Sequence, residues 1–467
     1  MLKLVLGTSG SGKTTLLYAR IRARAEAGKR SILLVPEQFT SSTEARIYRE
    51  LGDALSGMVE SYSFTSLAEH ILAIEGGAAV QTLTDAGRAV LVRRALEELQ
   101  DNVHYYYRHR RSAAFCQMAA ETIDELKSAG LSGQQLQELA RDCGTESAKL
   151  GELALIFQGY ESLLAGTGMD PADRLELAAD RLEAALARDE LPDFLREREV
   201  FIDEFDTFNA PKKRLMGAML AALPAVTVAL CEDGAPMQPG DLELFSGAKQ
   251  VAAQLRQLAR KNGAQVAAPE LLRRDLRHKN APGLAALTEL LETGSCTPPE
   301  SAPELRLFAA ASREEEARCA AAAIRRLMRQ GVHCGKIAVV CRDISLYRAA
   351  VRYEFRMAEI PLYCDEPTTP EFSAPATAVR ALLALLRGAD MTEQLTVLAK
   401  TGLCALTEPE VCALENYAYT WSPNAAAWRA EFTKSPRGFG DAELTEEDTL
   451  NLARAENARK KLVTAVD

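Results

Sequence analysis

The sequence predicts an α/β protein that begins with a parallel-sheet domain containing a large helical insertion. A second, incomplete α/β domain with a helical tail follows. The first observation is a strand, a glycine-rich loop, a helix and a further strand at the start of the chain: LKLVLG, GTSGSGKT, TLLYARIRARAEAG and SILLVPEQ. The second is the return of strand patterns, EVFIDEF and AVTVALCED, after a long helical stretch. Strands that alternate with helices are typical of parallel sheets.

Changes of pattern along the chain divide it into five parts. The run VESYSF adds a strand before the helical stretch, in which Ile156, Phe157 and Tyr160 recur at helical spacing. A TPPESAP linker precedes the second α/β pattern, whose predicted strands are ELRLFAAAS, IAVVCRD and IPLYCDEP. The predicted parts are the first sheet domain in two pieces (1–83 and 196–296), the helical insertion between them (84–195), the second α/β domain (303–390) and its truncated helical insertion (391–467).

The composition is that of a soluble protein without a uniformly basic surface. The chain has 467 residues and a formal net charge of −10, which argues against a general coat of positive charge but allows a local basic groove. Its ten cysteines include no CxxC pair, so no zinc or iron–sulfur site is predicted within it. No apolar run is long enough to cross a bilayer. We therefore expect a cytoplasmic protein with reduced thiols and no membrane partner.

The segment GTSGSGKT matches the phosphate-binding pattern GxxxxGK[ST]. Glycines let backbone N–H groups wrap phosphate oxygens, and the N-terminus of the following helix favours negative charge. Lys13 would reach the β- and γ-phosphates, and the Thr14 hydroxyl would bind Mg²⁺. The sequence therefore predicts a P-loop NTPase, with a vestigial loop as the alternative. The predicted ATP-binding residues are Gly7, Gly10, Gly12, Lys13, Thr14 and Thr15.

Two carboxylates, Asp203 and Glu204, follow the apolar strand pattern of VFIDEF. In P-loop proteins an Asp at the end of a neighbouring strand holds Mg²⁺. An adjacent Glu can polarise the attacking water as a general base. We therefore predict Thr14 and Asp203 as the metal-binding pair, and Asp203 and Glu204 as catalytic residues. The alternative is a pair of solvated carboxylates at a strand end.

The series GTSGSGKT, LLVPEQFT, SYSFTSLAEH and IDEFDTFN resembles the first, RecA-like motor domain of superfamily 1 DNA helicases. More specific segments resemble the AddB family of bacterial helicase–nuclease subunits, in order along essentially the whole chain: ILLVPEQ, the ELK at 125–127, IDEF, IAVVCRD, IPLYCDEP and LENYAY. The resemblance implies two RecA-like motor domains with ATP and Mg²⁺ as cofactors. It also implies single- and double-stranded DNA as ligands and a heterodimer with an AddA-type helicase–nuclease subunit.

The same resemblance implies a C-terminal nuclease domain with an iron–sulfur cluster. The Asp/Glu/Lys, Gln…Tyr and cysteine signatures of that domain do not occur in the sequence, which stops in LVTAVD inside a helical pattern. We therefore expect this chain to be the N-terminal part of a longer protein. We expect no nuclease activity from it, and an iron–sulfur cluster only in the missing C-terminal part.

Several positions depart from the pattern of active helicases. No Gln motif precedes the loop, and Asp206 stands where a Gln senses the γ-phosphate. The third motif has only a loose counterpart in CEDGAPMQ, residues 231–238. Arg348, six residues after Arg342, matches the spacing of a helicase arginine that touches the γ-phosphate and is the third predicted catalytic residue. Because an arginine finger can contribute about 10³- to 10⁵-fold in rate, we expect ATP hydrolysis to be weak or lacking.

Polar and aromatic residues near strand ends are predicted DNA contacts. Gln38 and Thr40 follow the strand of LLVPEQFT, Phe64 ends SYSF, and Phe208 follows the carboxylates. Base stacking on an aromatic ring contributes about 1–3 kcal/mol per base, but core packing is the alternative for each phenylalanine. The basic clusters YYYRHRR and RRDLRHK are interpreted as solvated surface or a subunit contact, with a grip on the phosphate backbone as the alternative for the first.

These predictions favour an ATP- and DNA-binding, helicase-like subunit of a complex that processes double-strand breaks for recombinational repair. The AddB resemblance further implies a degenerate motor that scans single-stranded DNA for a recombination hotspot while the partner drives movement. The alternative is a self-sufficient ATP-dependent DNA translocase or helicase. A third hypothesis, a scaffold with an empty loop, conflicts with the intact Lys13, Thr14, Asp203 and Glu204.

Overall fold

The computed structural model describes residues 1–77, 79, 81–236, 244–364, 370–440 and 443–466. The chain divides into two compact units, Met1–Arg306 and Leu307–Asp467. The last two residues of CEDGAPMQ and residues 365–367 of IPLYCDEP lie outside the described part of the chain. No helix in the described part is both long and apolar enough to span a bilayer.

A parallel six-stranded sheet forms the framework of the first unit, as the sequence predicted. The strands are β1 (Leu2–Gly7), β2 (Ser31–Leu34), β3 (Val59–Tyr62), β4 (Glu199–Ile202), β5 (Ala225–Cys231) and β6 (Glu270–Leu272). Their order across the sheet is β3-β2-β4-β5-β1-β6. β1, β2, β4 and β5 are buried along nearly their whole length, because a parallel sheet covered by helices on both faces favours continuous apolar runs.

Helices of the first unit connect and cover these strands, and several begin with a side chain that caps the first turn. Ser63 accepts a hydrogen bond from the Ser66 amide at 3.1 Å, and Asn209 accepts one from the Lys212 amide at 3.1 Å. The helices are α1 (Lys13–Glu26), α2 (Thr40–Leu51), α3 (Asp53–Ser56), α4 (Phe64–Glu75), α5 (Asp85–Glu98), α6 (Ala113–Ala129), α7 (Gly133–Ala140), α8 (Ser147–Leu164), α9 (Pro171–Ala187), α10 (Ala210–Ala222), α11 (Ser246–Lys261) and α12 (Pro282–Thr293).

Two apolar cores cover the two faces of the sheet. Leu4 and Leu6 of β1 belong to the core that contains α4, α9, α10 and α11. Val5, between them, belongs with Leu33 to the core that contains α1 and α2. Successive side chains of a strand point to opposite faces, so helices cover both faces of the central strands, and polar groups can gather at the strand ends.

The chain between β3 and β4 forms helices α4 to α9, of which α5 to α9 span the predicted helical insertion. Ile156, Phe157 and Tyr160 of α8 are buried, which confirms the predicted apolar helix face. They form a separate core with α5 and α6. Leu175 and Leu182 of α9 instead pack into the core on the sheet, so α9 joins the helical segment to the sheet.

A buried ion pair ties α9 to the rest of this helical segment. Lys127, in the ELK segment of α6, lies 2.8 Å from both Asp170 and Asp173, and the Tyr160 hydroxyl donates to Asp170 at 2.6 Å. Asp170 is buried. Because a buried charge that loses its partner is strongly destabilising, these contacts fix the start of α9 against α6 and α8.

The described part of the second unit consists of helices and their connections. α13 and α14 share a core that contains Ile324 and Phe355. The remaining helices pack around the fully buried Trp428. The helices of this unit are α13 (Arg313–Arg329), α14 (Ile344–Met357), α15 (Ala374–Leu386), α16 (Met391–Lys400), α17 (Glu408–Trp421), α18 (Ala425–Arg429) and α19 (Glu446–Val466).

The strands predicted for the second α/β domain are wrong for the described residues. Segments 304–312, 337–343 and 360–364 form no strand ladder. Within them Leu307, Val340 and Tyr363 are 100 %, 90 % and 87 % exposed. An apolar run becomes a strand only when a neighbouring strand supplies hydrogen-bond partners, and no described segment does so here.

Candidate functional site

The glycine loop leaves the carboxyl end of β1 and leads into the N-terminus of α1. Gly12, which precedes the helix, has φ of +93°, a left-handed conformation that favours glycine. A Cβ on Gly7 would lie 2.8 Å from the carbonyl oxygen of Leu272, so the close approach of β6 also requires glycine. The first N–H groups of a helix have no partner within it, and they attract anions. The loop therefore has the backbone of an anion-binding site.

The Lys13 ammonium lies against the carbonyl groups of this loop. Its Nζ donates to the Gly7 carbonyl at 2.7 Å and to the Thr8 carbonyl at 2.8 Å. Burial lowers the pKa of Lys13, the Asp203 carboxylate raises it, and the charge of Arg277 lowers it. The predicted phosphate-binding lysine is therefore held by the loop and lies close to a carboxylate from another strand.

Thr14 and Asp203 join the loop to the predicted carboxylates. The Asp203 amide, directly after β4, donates to the Leu34 carbonyl at 3.1 Å. Thr14 and Asp203 line the same cleft, and Asp203 is only 6 % exposed. Burial raises the pKa of Asp203, and the Thr14 hydroxyl and the Lys13 charge oppose that change. The structure thus brings together the two residues predicted to hold Mg²⁺, an ion that prefers oxygen ligands.

Glu204 follows Asp203 in an unusual backbone conformation. Its φ is +65°, a region that residues other than glycine rarely adopt and that is often found at functional sites. The Glu204 amide donates to Asp203 Oδ1 at 3.0 Å. Burial and the neighbouring Asp203 carboxylate raise the pKa of Glu204. A raised pKa brings a carboxylate closer to the range that suits a general base.

Arg277 is a residue at the loop that the sequence analysis missed. β6 pairs with β1, so the RRDLRHK segment that follows it begins beside the loop. The Leu276 amide donates to the Gly10 carbonyl at 2.9 Å, and the Arg277 guanidinium donates to the Ser9 hydroxyl at 3.2 Å. Leu276 and Arg277 are exposed, which agrees with the interpretation of this cluster as surface, but that interpretation did not place them beside the loop. The short apolar run ELL, directly before the cluster, was the signal for a strand that could have located it.

Of the remaining predicted residues, Thr15 lies next to Thr14 in sequence and Arg348 belongs to the second unit. Thr15 is exposed on α1. Arg348 is half-buried on α14 of the second unit. The γ-phosphate contact of Arg348 and the nucleotide contact of Thr15 therefore stay predictions from the sequence.

The predicted DNA contacts Gln38 and Thr40 lie at the turn between β2 and α2. Gln38 is exposed, and the Thr40 hydroxyl donates to the Glu37 carbonyl at 2.9 Å. Gln38 lines a cleft of about 300 Å³ at the carboxyl ends of the strands, to which Asn209 and Lys212 also contribute. The side chain of Gln38 is therefore accessible at a polar cleft, where it can form hydrogen bonds with a ligand.

Phe64 and Phe208 are buried, with exposed fractions of 2 % and 6 %. Their ring centroids lie 6.0 Å apart, and each ring also packs against Phe205, at 5.3 Å and 5.4 Å. This is the core packing that the sequence analysis kept as the alternative. A base can stack on either ring only if this aromatic cluster opens, so their contact with DNA stays a prediction.

Comparison with known proteins identifies a matching family and several similar proteins. The sequence matches the family model described as ADDB, N-terminal over residues 4–288. It is similar to proteins whose names make them one subunit of an ATP-dependent helicase/deoxyribonuclease. The one from Moorella thermoacetica is 31 % identical over 92 % of this chain and 38 % of the relative. The relative from Desulforudis audaxviator is 32 % identical over 91 % of this chain and 37 % of its own length. The relative from Clostridium perfringens is 27 % identical over 100 % of this chain and 41 % of its own length. The chain thus spans about two fifths of the length of these relatives.

Proposed function

Because this chain belongs to the ADDB, N-terminal family, we propose that it is the ATP- and DNA-binding, helicase-like part of a subunit in a helicase–nuclease complex. The names of its relatives support such a complex. We propose an AddA-type subunit as the partner, recombinational repair of double-strand breaks as the process, and the cytoplasm as its location. The motor fold we propose is a RecA-like P-loop NTPase domain.

The position of Thr14 and Asp203 in one cleft is the observation that carries this proposal. The two residues are distant in sequence, and they meet only because the ends of β1 and β4 lie at the same edge of the sheet. In open parallel sheets ligands bind outside the carboxyl ends of the strands. A solvated pair of carboxylates at a strand end would not account for a buried Asp203 that lines one cleft with Thr14.

The residues at the loop fit a nucleoside triphosphate with Mg²⁺. Lys13 and the N–H groups at the start of α1 would bind phosphate oxygens. Thr14 and Asp203 would hold Mg²⁺, which neutralises phosphate charge when bound. Glu204 would orient the attacking water, and Arg277 offers a further cation beside Ser9.

For DNA, we propose that the exposed Gln38 and the neighbouring Thr40 touch a single strand and contribute to scanning for a recombination hotspot. Gln38 supports this proposal because its amide carries both donors and an acceptor and is accessible at a cleft. Phe64 and Phe208 would add base stacking only after the aromatic cluster opens.

A second candidate function is ATP-driven translocation by this subunit itself, and Arg277 is the observation that favours it. A guanidinium beside the loop supplies a cation that the sequence analysis had not located. Asp206, which replaces the γ-phosphate-sensing Gln of active helicases, favours the degenerate motor. Phosphate release with and without single-stranded DNA separates the two, since strong stimulation by DNA would support translocation.

The nucleotide part of the proposal is tested by thermal unfolding with Mg-ATP and a Lys13→Ala variant. A ligand at 100 times its Kd stabilises the folded state by about 2.7 kcal/mol. We expect this stabilisation in the wild-type chain and its loss in Lys13→Ala, because the variant lacks the cation that faces the phosphates.

Lys29→Ala is the matched control, because Lys29 is an exposed lysine just after α1. It should keep the full response to Mg-ATP. If the wild-type chain shows no shift, or if Lys13→Ala shifts as much as the control, nucleotide binding at this loop is excluded.

A further inference from the structure

Helix α2 connects the two candidate sites of the first unit. Thr40, a predicted DNA contact, is its first residue, and Gln38 lies just before it. Arg46 lies on the same helix, within a cleft of about 570 Å³ that is also lined by Phe39, Asp203 and Glu204. One rigid element therefore carries both the segment proposed to touch DNA and a cation near the proposed catalytic carboxylates.

The guanidinium of Arg46 is held between α2 and α1. It lies over the ring of Tyr18 at 4.7 Å from the centroid. Burial raises the pKa of Tyr18 to about 12, so this ring is neutral and suits a cation–π contact. The Arg46 Nε is buried and has no hydrogen-bond partner among the described residues. A buried donor without a partner is unfavourable, so part of the guanidinium has capacity for a further acceptor.

The charge of Arg46 acts on both carboxylates at the end of β4. Arg46 lines the same cleft as Asp203 and Glu204, so its positive charge lies near both carboxylates. The guanidinium is planar and offers donors in a fixed fork, which makes its effect on a carboxylate sensitive to its position. Movement of α2 would therefore change the electrostatic environment of the proposed catalytic site.

The packing of α2 against the rest of the first unit does not require the Arg46 side chain. The buried face of this helix consists of Thr43, Ile47 and Leu51, which recur every four residues and anchor it by packing. Arg46 lies beside this face and is only half-buried. The helix can thus pack in place without the guanidinium.

We propose that Arg46 is a positioning residue that couples occupancy of the DNA-contact segment at the start of α2 to the nucleotide site at Asp203 and Glu204. This inference rests on the proposed function, because it needs both nucleotide and single-stranded DNA to bind. A ligand at Gln38 and Thr40 shifts α2, Arg46 moves with the helix, and the affinity of the loop for nucleotide changes. Since such coupling is reciprocal, nucleotide changes the affinity for DNA by the same factor.

The test measures the coupling directly and does not depend on hydrolysis. A fluorescent ATP analogue with Mg²⁺ is titrated with and without a saturating single-stranded oligothymidylate, and the ratio of the two Kd values is compared among variants. We expect a ratio of about fivefold or more in the wild-type chain, the lower end of common coupling strengths. In Arg46→Ala the ratio should fall to within about twofold of one.

Two further variants make the result specific to Arg46. Arg46→Lys keeps the charge but lacks the planar fork and stacks less well on Tyr18, so its ratio should lie between those of the wild type and Arg46→Ala. Arg22→Ala removes an exposed arginine from α1 and should keep the wild-type ratio. If the loss of one positive charge were enough to change the ratio, Arg22→Ala and Arg46→Ala would lower it equally.

The outcomes separate this inference from the proposed function. If both ligands bind but Arg46→Ala keeps the wild-type ratio, or if the wild-type ratio is one, the coupling role is wrong and the proposed function stands. If Arg46→Ala fails to fold, Arg46→Lys decides by the same comparison. If the wild-type chain binds no nucleotide analogue at all, the proposed function fails, and the coupling role with it.

Discussion

Single residues set the geometry of the glycine loop. Gly12 combines a φ of +93° with close neighbours, because a Cβ there would lie 2.9 Å from Leu276 Cδ1. A left-handed conformation costs an L-residue about 1–2 kcal/mol, and the end of the Leu276 side chain would also have to move to make room. Glu204, which follows Asp203 at the end of β4, has a similarly strained backbone with φ of +65°. Both features are local, and both lie at the proposed nucleotide site.

Gly12→Ala should therefore weaken the fold and abolish nucleotide binding together. We expect a loss of about 1–2 kcal/mol in the free energy of unfolding from backbone strain, and no stabilisation by Mg-ATP, because the loop cannot keep its shape. Chemical denaturation with and without Mg-ATP measures both effects.

The matched control is Gly28→Ala, at a glycine with φ of +72° and open space around the Cβ position. It should lose similar stability but keep the response to nucleotide. An equal response to nucleotide in Gly12→Ala would show that this loop geometry is not needed for binding.

At the scale of elements, caps and buried ion pairs hold helices where apolar patterns alone do not. Glu410 in the first turn of α17 accepts from the Thr407 amide at 2.7 Å and lies 3.2 Å from the Lys461 ammonium of α19. The Asn457 side chain also donates to it. These contacts, above all the Thr407 amide, lower the pKa of Glu410 to about 2. The same carboxylate thus caps one helix and fixes another against it.

Glu410→Gln should destabilise the second unit at neutral pH and flatten its acid dependence. The lowered pKa means that the folded state binds this proton more weakly than the unfolded chain, whose Glu has a pKa of about 4.3. The stabilisation is complete above that value and is lost as the pH falls toward about 2. We expect the variant to lose about 1–3 kcal/mol at pH 7.

Denaturation curves between pH 7 and pH 2 measure this effect, with Glu408→Gln as the control. Glu408 is exposed on the same helix, and its replacement should change little. If the two variants have the same pH dependence, Glu410 does not contribute through its charge.

At the scale of the molecule, the described chain consists of two units with separate cores. The nucleotide-binding residues proposed from the geometry all belong to the first unit. The second unit carries exposed apolar segments in place of the strands expected there. Its stability therefore depends on helix packing, around Trp428 in particular.

In calorimetry, we expect each unit to unfold in its own transition and Mg-ATP to raise the Tm of only one of them. With Mg-ATP at 100 times its Kd, the first unit gains about 2.7 kcal/mol, which raises its Tm by about 5 °C. The transition of the second unit should not move. Glu410→Gln should do the reverse and lower only the Tm of the second unit. If the protein instead unfolds in a single transition that both Mg-ATP and Glu410→Gln shift, the two units do not unfold separately.

The sequence by itself determined the features that lie within one continuous segment. GTSGSGKT located the glycine loop, VFIDEF located the carboxylates, and the spacing around Phe157 located a buried helix face. It also indicated the parallel sheet, because strand, loop and helix signals alternate along the first part of the chain. Such patterns are readable because glycine conformation and apolar periodicity act over a few residues.

Only the tertiary structure decided which distant segments meet. The pairing of β6 with β1 brings Arg277 to the loop while leaving it exposed, a position that its own segment did not indicate. Packing against Phe205 buries Phe64 and Phe208, and the position of α2 places Arg46 near Glu204. Among the described residues, the apolar runs of the second unit have no strand partners for the same reason. A local pattern shows that a residue can pair or be buried, but the partner comes from elsewhere in the chain.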